Sequence, residues 1–117
     1  MKPLFLQYPK CGTCVKAAKF LKENNIEVES RDITIDNPTR DELKVWIEKS
    51  GLPIQKFFNT SGVRYKELGL KDVVKTAPDD ELIGLLASDG KLVKRPVFVQ
   101  GDTVLVGFKP EEWKSVL

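Results

Sequence analysis

Leu4-Phe5-Leu6-Gln7-Tyr8-Pro9-Lys10-Cys11-Gly12-Thr13-Cys14 is the stretch on which the fold turns. Its first half is a short apolar run stopped by Pro9, the pattern of a buried strand feeding a turn. Beyond Cys14 the period changes. Cys14, Ala18 and Leu21 fall on one helical face, Lys16, Lys19 and Glu23 point elsewhere, and Asn24-Asn25 supplies a C-terminal break. A strand, a proline turn and a Cys-x-x-Cys opening a helix form the context expected of a redox dithiol.

Working outward, Ile26 and Val28 alternate with Glu27 and Glu29, which predicts a second strand with one wet face, and Asn37-Pro38 breaks the chain before the next helix. Thr39-Arg40-Asp41-Glu42 matches the capping box, and Leu43, Trp46 and Ile47 mark the apolar face of a helix that Ser50-Gly51 ends. From Leu52 to Lys75 the periodicity weakens, predicting short helices and an ordered loop around Asn59-Thr60-Ser61-Gly62. Asp79-Asp80-Glu81 places negative charge at a helix start, with Leu82, Ile83, Leu85 and Leu86 as its apolar face and Gly90 beyond its end. Val97-Phe98-Val99 and Thr103-Val104-Leu105-Val106 flank Gln100-Gly101-Asp102 as a hairpin, and Pro110-Glu111-Glu112 opens a last helix carrying Trp113, Val116 and Leu117. The order βαβ, helical middle, hairpin, closing helix predicts an α/β fold with one mixed sheet flanked by helices.

The chain has 117 residues, 41% of them apolar, which suits a single domain over residues 1–117. Nineteen Lys and Arg against seventeen Asp and Glu leave a net charge of +2, and the signs are interspersed. No basic stripe suits a phosphate backbone, so direct nucleic-acid binding is not expected. Residues 1–9 resemble neither a signal peptide nor a membrane span, so a cytoplasmic location is expected. There a cysteine pair is catalytic, redox-sensing or metal-binding more often than structural.

Only the thiolate reacts, and a free cysteine with a pKa of about 8.5 is mostly protonated at neutral pH. At a helix N-terminus the unpaired N–H groups and the helix dipole favour the anion, and Lys10 adds to this. Cys11 is therefore the predicted nucleophile and Cys14, one turn inside the helix, the resolving thiol. Zinc wants four ligands, and the chain has no histidine and no third cysteine, so no metal is expected. The missing histidine also excludes Cys-His and Ser-His nucleophile systems. Trp46, Phe57, Phe58 and Trp113 read as core aromatics, without the interleaved basic residues of a stacking platform.

Arg95-Pro96 is the second informative feature. X-Pro bonds are cis in only about 5–6% of cases, yet the Cys-x-x-Cys unit upstream and the hairpin downstream match the cis-proline of thioredoxin-like folds. Pro96 is predicted cis, with Arg95 near Cys11 to hold an anion or stabilise the thiolate.

The blocks Tyr8-Pro9-Lys10-Cys11-Gly12-Thr13-Cys14, Lys56-Phe57-Phe58-Asn59-Thr60-Ser61-Gly62, Tyr65-Lys66-Glu67-Leu68-Gly69-Leu70 and Lys94-Arg95-Pro96, in this order, resemble the arsenate reductase (ArsC)/Spx family over essentially the whole chain. The resemblance implies a thioredoxin-like fold with a helical insertion, about residues 37–90, between the second strand and the cis-proline strand. It implies a thiol-disulfide oxidoreductase with Cys11, Cys14 and Arg95 as catalytic residues and an anion pocket drawn from Lys10, Gly12, Thr13, Asn59, Pro96 and Lys109. Of the three arginines that hold arsenate in glutaredoxin-linked members, Arg95 matches, while Asn59 and Lys109 stand at the other two positions. No bound cofactor is implied, only an external reductant such as a thioredoxin, a glutaredoxin or a low-molecular-weight thiol. The Spx branch, which shares the Cys-x-x-Cys, implies an alternative: a redox-sensing regulator that binds the C-terminal domain of the RNA polymerase α subunit.

Overall fold

The computed structural model describes residues 2–116. Strands β1 (Leu4–Gln7), β2 (Glu29–Asp32), β3 (Val97–Gln100) and β4 (Thr103–Val106) form one mixed sheet in the order β2-β1-β3-β4. β1 is parallel to β2, with Phe5 opposite Ser30, and antiparallel to β3, with Phe5 opposite Phe98. A parallel pair needs a crossover, and helix α1 (Gly12–Glu23) provides it. β3 and β4 make the expected hairpin, turned at Gly101 with φ +57°, where a side chain would be strained.

Strand alternation divides the interior. Phe5, Phe98 and Leu105 point to one face, where Ala17 and Leu21 of α1 and Trp113 of the last helix, α6 (Pro110–Val116), cover them. Leu6, Val97 and Val104 point to the other face. That face is covered by α2 (Arg40–Ser50), a 3-10 turn (Ile54–Phe57), α3 (Val63–Glu67), α4 (Leu70–Thr76) and α5 (Asp79–Ser88). The architecture is thioredoxin-like, and the extra helices lie between β2 and the Pro96 strand. Phe57, Phe58 and Trp113 are at most 1% exposed and Trp46 only 6%, so the four aromatics are core residues.

The second helix forms as its capping box predicts: the Glu42 N–H donates to Thr39 Oγ1 at 3.1 Å, the Thr39 N–H donates to Glu42 Oε1 at 3.0 Å, and Gly51 ends the helix at φ +69°. Gly90 is required for another reason. A Cβ there would lie 1.7 Å from the Ile33 carbonyl oxygen, so only glycine lets the segment after α5 cross the end of β2.

Three expectations need correction. The second strand begins at Glu29, three residues later than the Ile26/Val28 alternation suggests; those side chains pack, half-buried, against the Trp113 cluster as the chain enters the sheet. The paired segment Glu-Ser-Arg-Asp is polar because β2 is an edge strand. Its anchor is Arg31, which donates from Nη1 to Glu42 Oε2 at 2.7 Å and from Nη2 to Glu42 Oε1 at 2.9 Å. The buried face of α1 carries Cys14, Ala17 and Leu21, so Ala17 takes the inward place expected of Ala18. In α6 only Trp113 is buried, Val116 is 42% exposed, and Leu117 lies outside the described residues.

Candidate functional site

The chain leaves β1, turns at Pro9-Lys10 and enters α1 at Cys11, whose N–H donates to the Tyr8 carbonyl at 2.9 Å. Cys11 is the N-cap of α1, and the Cys14 N–H donates to its Sγ at 3.3 Å. The sulfur thus takes the place of the usual capping oxygen on one of the orphan amides of the first turn. Cys11 is half-buried, Cys14 is 2% exposed, and both are free thiols.

Arg95 approaches from the opposite side. The Arg95–Pro96 peptide bond is cis, and the guanidinium carbon lies 5.1 Å from the centroid of the Tyr8 ring. Arg95 Nε is buried with no partner among the described residues.

These neighbours split the acidity of the two thiols. Burial opposes ionisation of Cys11, but hydrogen bonds from the Cys14 side chain and backbone, together with the Arg95 guanidinium, outweigh it and lower its pKa. Burial pushes the Cys14 thiol up to about 12, helped by its hydrogen bond to Cys11 and by the charge on that sulfur. The two thiols are thus split, Cys11 toward the thiolate and Cys14 toward the protonated form, and Cys11 is the more exposed of the two.

Cys11 opens into a cavity of about 510 Å³. Of the residues predicted from sequence it brings together Cys11, Thr13, Asn59, Arg95 and Lys109. Lys10, in the turn before the cap, and Gly12, the first residue of α1, are exposed outside its lining. Pro96 is buried behind the wall and leads into β3. Ser61 and Gly62 complete the loop of Asn59, and Lys94, Val63 and Phe108 also line the cavity. Lys94 stood in the Lys94-Arg95-Pro96 block, whereas Val63 and Phe108 carried no motif of their own.

A capping thiolate, a buried partner thiol and an arginine before a cis-proline, set in this sheet, define a thioredoxin-like dithiol protein. The chain belongs to the ArsC family, whose model matches residues 6–116. A putative ArsC family related protein from Bacteroides fragilis has a similar crystal structure, 62% identical over 100% of this chain and 98% of that one, with a TM-score of 0.97. A possible arsenate reductase from Streptococcus mutans is 39% identical over 96% and 97%, with a TM-score of 0.87. Among curated relatives, YusI of Bacillus subtilis is 48% identical over 98% of both chains. The regulatory protein MgsR of the same organism is 31% identical over 92% of this chain and 84% of its own.

Proposed function

We propose that the chain is a thiol-disulfide oxidoreductase of the arsenate reductase-like family, with Cys11 as nucleophile, Cys14 as resolving thiol and Arg95 as partner of the anion. The observation that carries this reading is the hydrogen-bonded cap: Cys11 Sγ accepts from the Cys14 N–H while the Cys14 thiol stays protonated behind it.

In the forward step the Cys11 thiolate attacks one sulfur of a disulfide substrate, forming a mixed disulfide and expelling the other sulfur as a thiolate. The Cys11 charge is then gone, and with it two of the influences that keep Cys14 protonated. Cys14 gives its proton to solvent and attacks the Cys11 sulfur. A Cys11–Cys14 disulfide forms and the second substrate thiolate leaves, so two electrons have passed to the substrate. A thioredoxin, a glutaredoxin or a low-molecular-weight thiol of the cytoplasm returns the dithiol to its reduced form. The Arg95 guanidinium, which lines the cavity beside Cys11, supplies the positive charge for an anionic group of the substrate.

The test is a turnover assay on a small disulfide and on arsenate with a reducing system. Cys11→Ser should abolish turnover, and Cys14→Ser should accumulate a mixed disulfide visible as a mass adduct on Cys11. Undiminished turnover by Cys11→Ser would overturn the reading. The 31% identity to MgsR favours a second, regulatory reading, in which the same dithiol controls binding to the C-terminal domain of the RNA polymerase α subunit. A thiol-dependent complex with that domain, without turnover of either substrate, would establish it instead.

A further inference from the structure

Beside the Cys11 cavity lies a second basin of about 490 Å³, and Lys94, Val106 and Lys109 line both. The two basins adjoin along these residues. Around the second, Lys56, Lys71, Lys75, Lys94 and Lys109 face a single acid, Glu112. None of these five lysines makes an ion pair with another described residue. In a chain of net charge +2 this is a local excess of unneutralised positive charge.

Beneath the lysines Phe58, Tyr65 and Val74 form an apolar floor. Tyr65 is 8% exposed and its hydroxyl has no protein partner among the described residues. The hydroxyl is not sealed from solvent, so the ring is buried while its polar tip stays accessible at the floor. Lys94 joins the basins in a set place: its stem crosses Gly107, where a Cβ would stand 2.9 Å from Lys94 Cε.

We propose that the second basin binds an acidic segment, bearing an apolar side chain, of a protein substrate whose cysteine is presented to Cys11. The inference rests on the oxidoreductase reading and names its substrate class. A tetrahedral oxyanion is best gripped by arginine forks, whereas five lysines spread over four segments, with Lys71 and Lys75 together on α4, suit carboxylates spaced along a chain. The apolar floor gives that chain a side-chain anchor, which an inorganic anion does not need.

The test uses reduced full-length protein and two peptides, one Glu-rich and one Lys-rich, each carrying one apolar residue and one cysteine held as a mixed disulfide with thionitrobenzoate. Attack by Cys11 on the peptide sulfur releases thionitrobenzoate, and Cys14 then displaces the peptide thiol, so a single turnover balances without added reductant. The acidic peptide should react about tenfold faster than the basic one at low salt, and the ratio should fall as salt is added. Lys71→Glu/Lys75→Glu should collapse the ratio toward one. Equal rates in the wild type, or a ratio untouched by the double substitution, would overturn the proposal. So would an equal advantage for a small dicarboxylate disulfide, or displacement of the acidic peptide by a single-stranded oligonucleotide. Fluorescence anisotropy with a cysteine-free acidic peptide separates the two readings: salt-sensitive binding lost in the double variant supports the basin even if no disulfide is reduced, and absent binding overturns it even if small disulfides turn over.

Discussion

At Cys11 the chemistry reduces to the balance of opposing effects on one sulfur. Burial works against its thiolate, and the Cys14 hydrogen bonds and Arg95 together outweigh burial. Alkylation of Cys11 by iodoacetamide should therefore titrate with an apparent pKa below that of free cysteine, about 8.5. Arg95→Ala should move that pKa upward, because the favourable charge is lost while burial stays. Arg95→Lys should restore part of the shift, keeping the charge without the planar fork held over Tyr8. An unshifted pKa in the wild type, or none of these differences among the variants, would remove the activation mechanism. Cys14 should resist alkylation until far more alkaline pH, consistent with a pKa of about 12. The placing of the two thiols was legible from the Cys-x-x-Cys spacing alone, since position 14 must sit one turn inside a helix that position 11 caps. The cavity walls were legible only in part: Thr13, Asn59 and Lys109 stood among the expected pocket residues, but Val63 and Phe108 line the cavity only through tertiary folding, and no local pattern marks a residue for such a place.

Among the elements, helix α2 was the most readable because its signals are local: a cap, its box partner three residues on, and a left-handed glycine at the end. Thr39→Ala should cost about 1 kcal/mol and lower Tm by about 4 °C, with Thr39→Ser close to neutral, as thermal unfolding would show. β2 was the least readable, because its stability comes from its neighbours and not from its own apolar residues. Arg31 of β2 grips Glu42 of α2, so one carboxylate serves both the cap and the edge strand. The hydrogen bonds from Arg31 hold Glu42 below the usual glutamate range, although burial opposes them. A depressed folded pKa means that this stabilisation is full above the ordinary glutamate value, about 4.3, and is lost as pH falls through the folded value. The Tm gap between wild type and Glu42→Gln should therefore be widest near neutral pH and close in acid. A gap independent of pH would show that the charge on Glu42 contributes nothing.

On the scale of the whole molecule, the site is a seam between two layers. Cys11 and Arg95 come from the ends of the sheet and its first helix, whereas Asn59, Ser61 and Val63 come from the helical segment packed on the far face. The pocket exists only while that segment stays docked. Its docking depends on Leu6, Val97 and Val104 from the sheet meeting the helix cluster, and on the crossing of Gly90 over Ile33. Gly90→Ala places a methyl group against a backbone carbonyl, which no rotamer change relieves, and should destabilise the fold by at least about 2 kcal/mol in a denaturant titration. Gly12→Ala is the contrasting case: nothing lies within 4 Å of its added Cβ, so stability should stay within about 0.5 kcal/mol although the position lies between the two cysteines in sequence. Because the helical segment supplies one wall of the Cys11 cavity, the two variants should also part at the site. Under conditions where Gly90→Ala is still folded, the Cys11 alkylation rate should rise, since loosening the wall exposes the sulfur without removing the Cys14 and Arg95 groups that lower its pKa. A Gly90→Ala protein as stable as wild type would mean that the helical segment holds to the sheet through its apolar face alone.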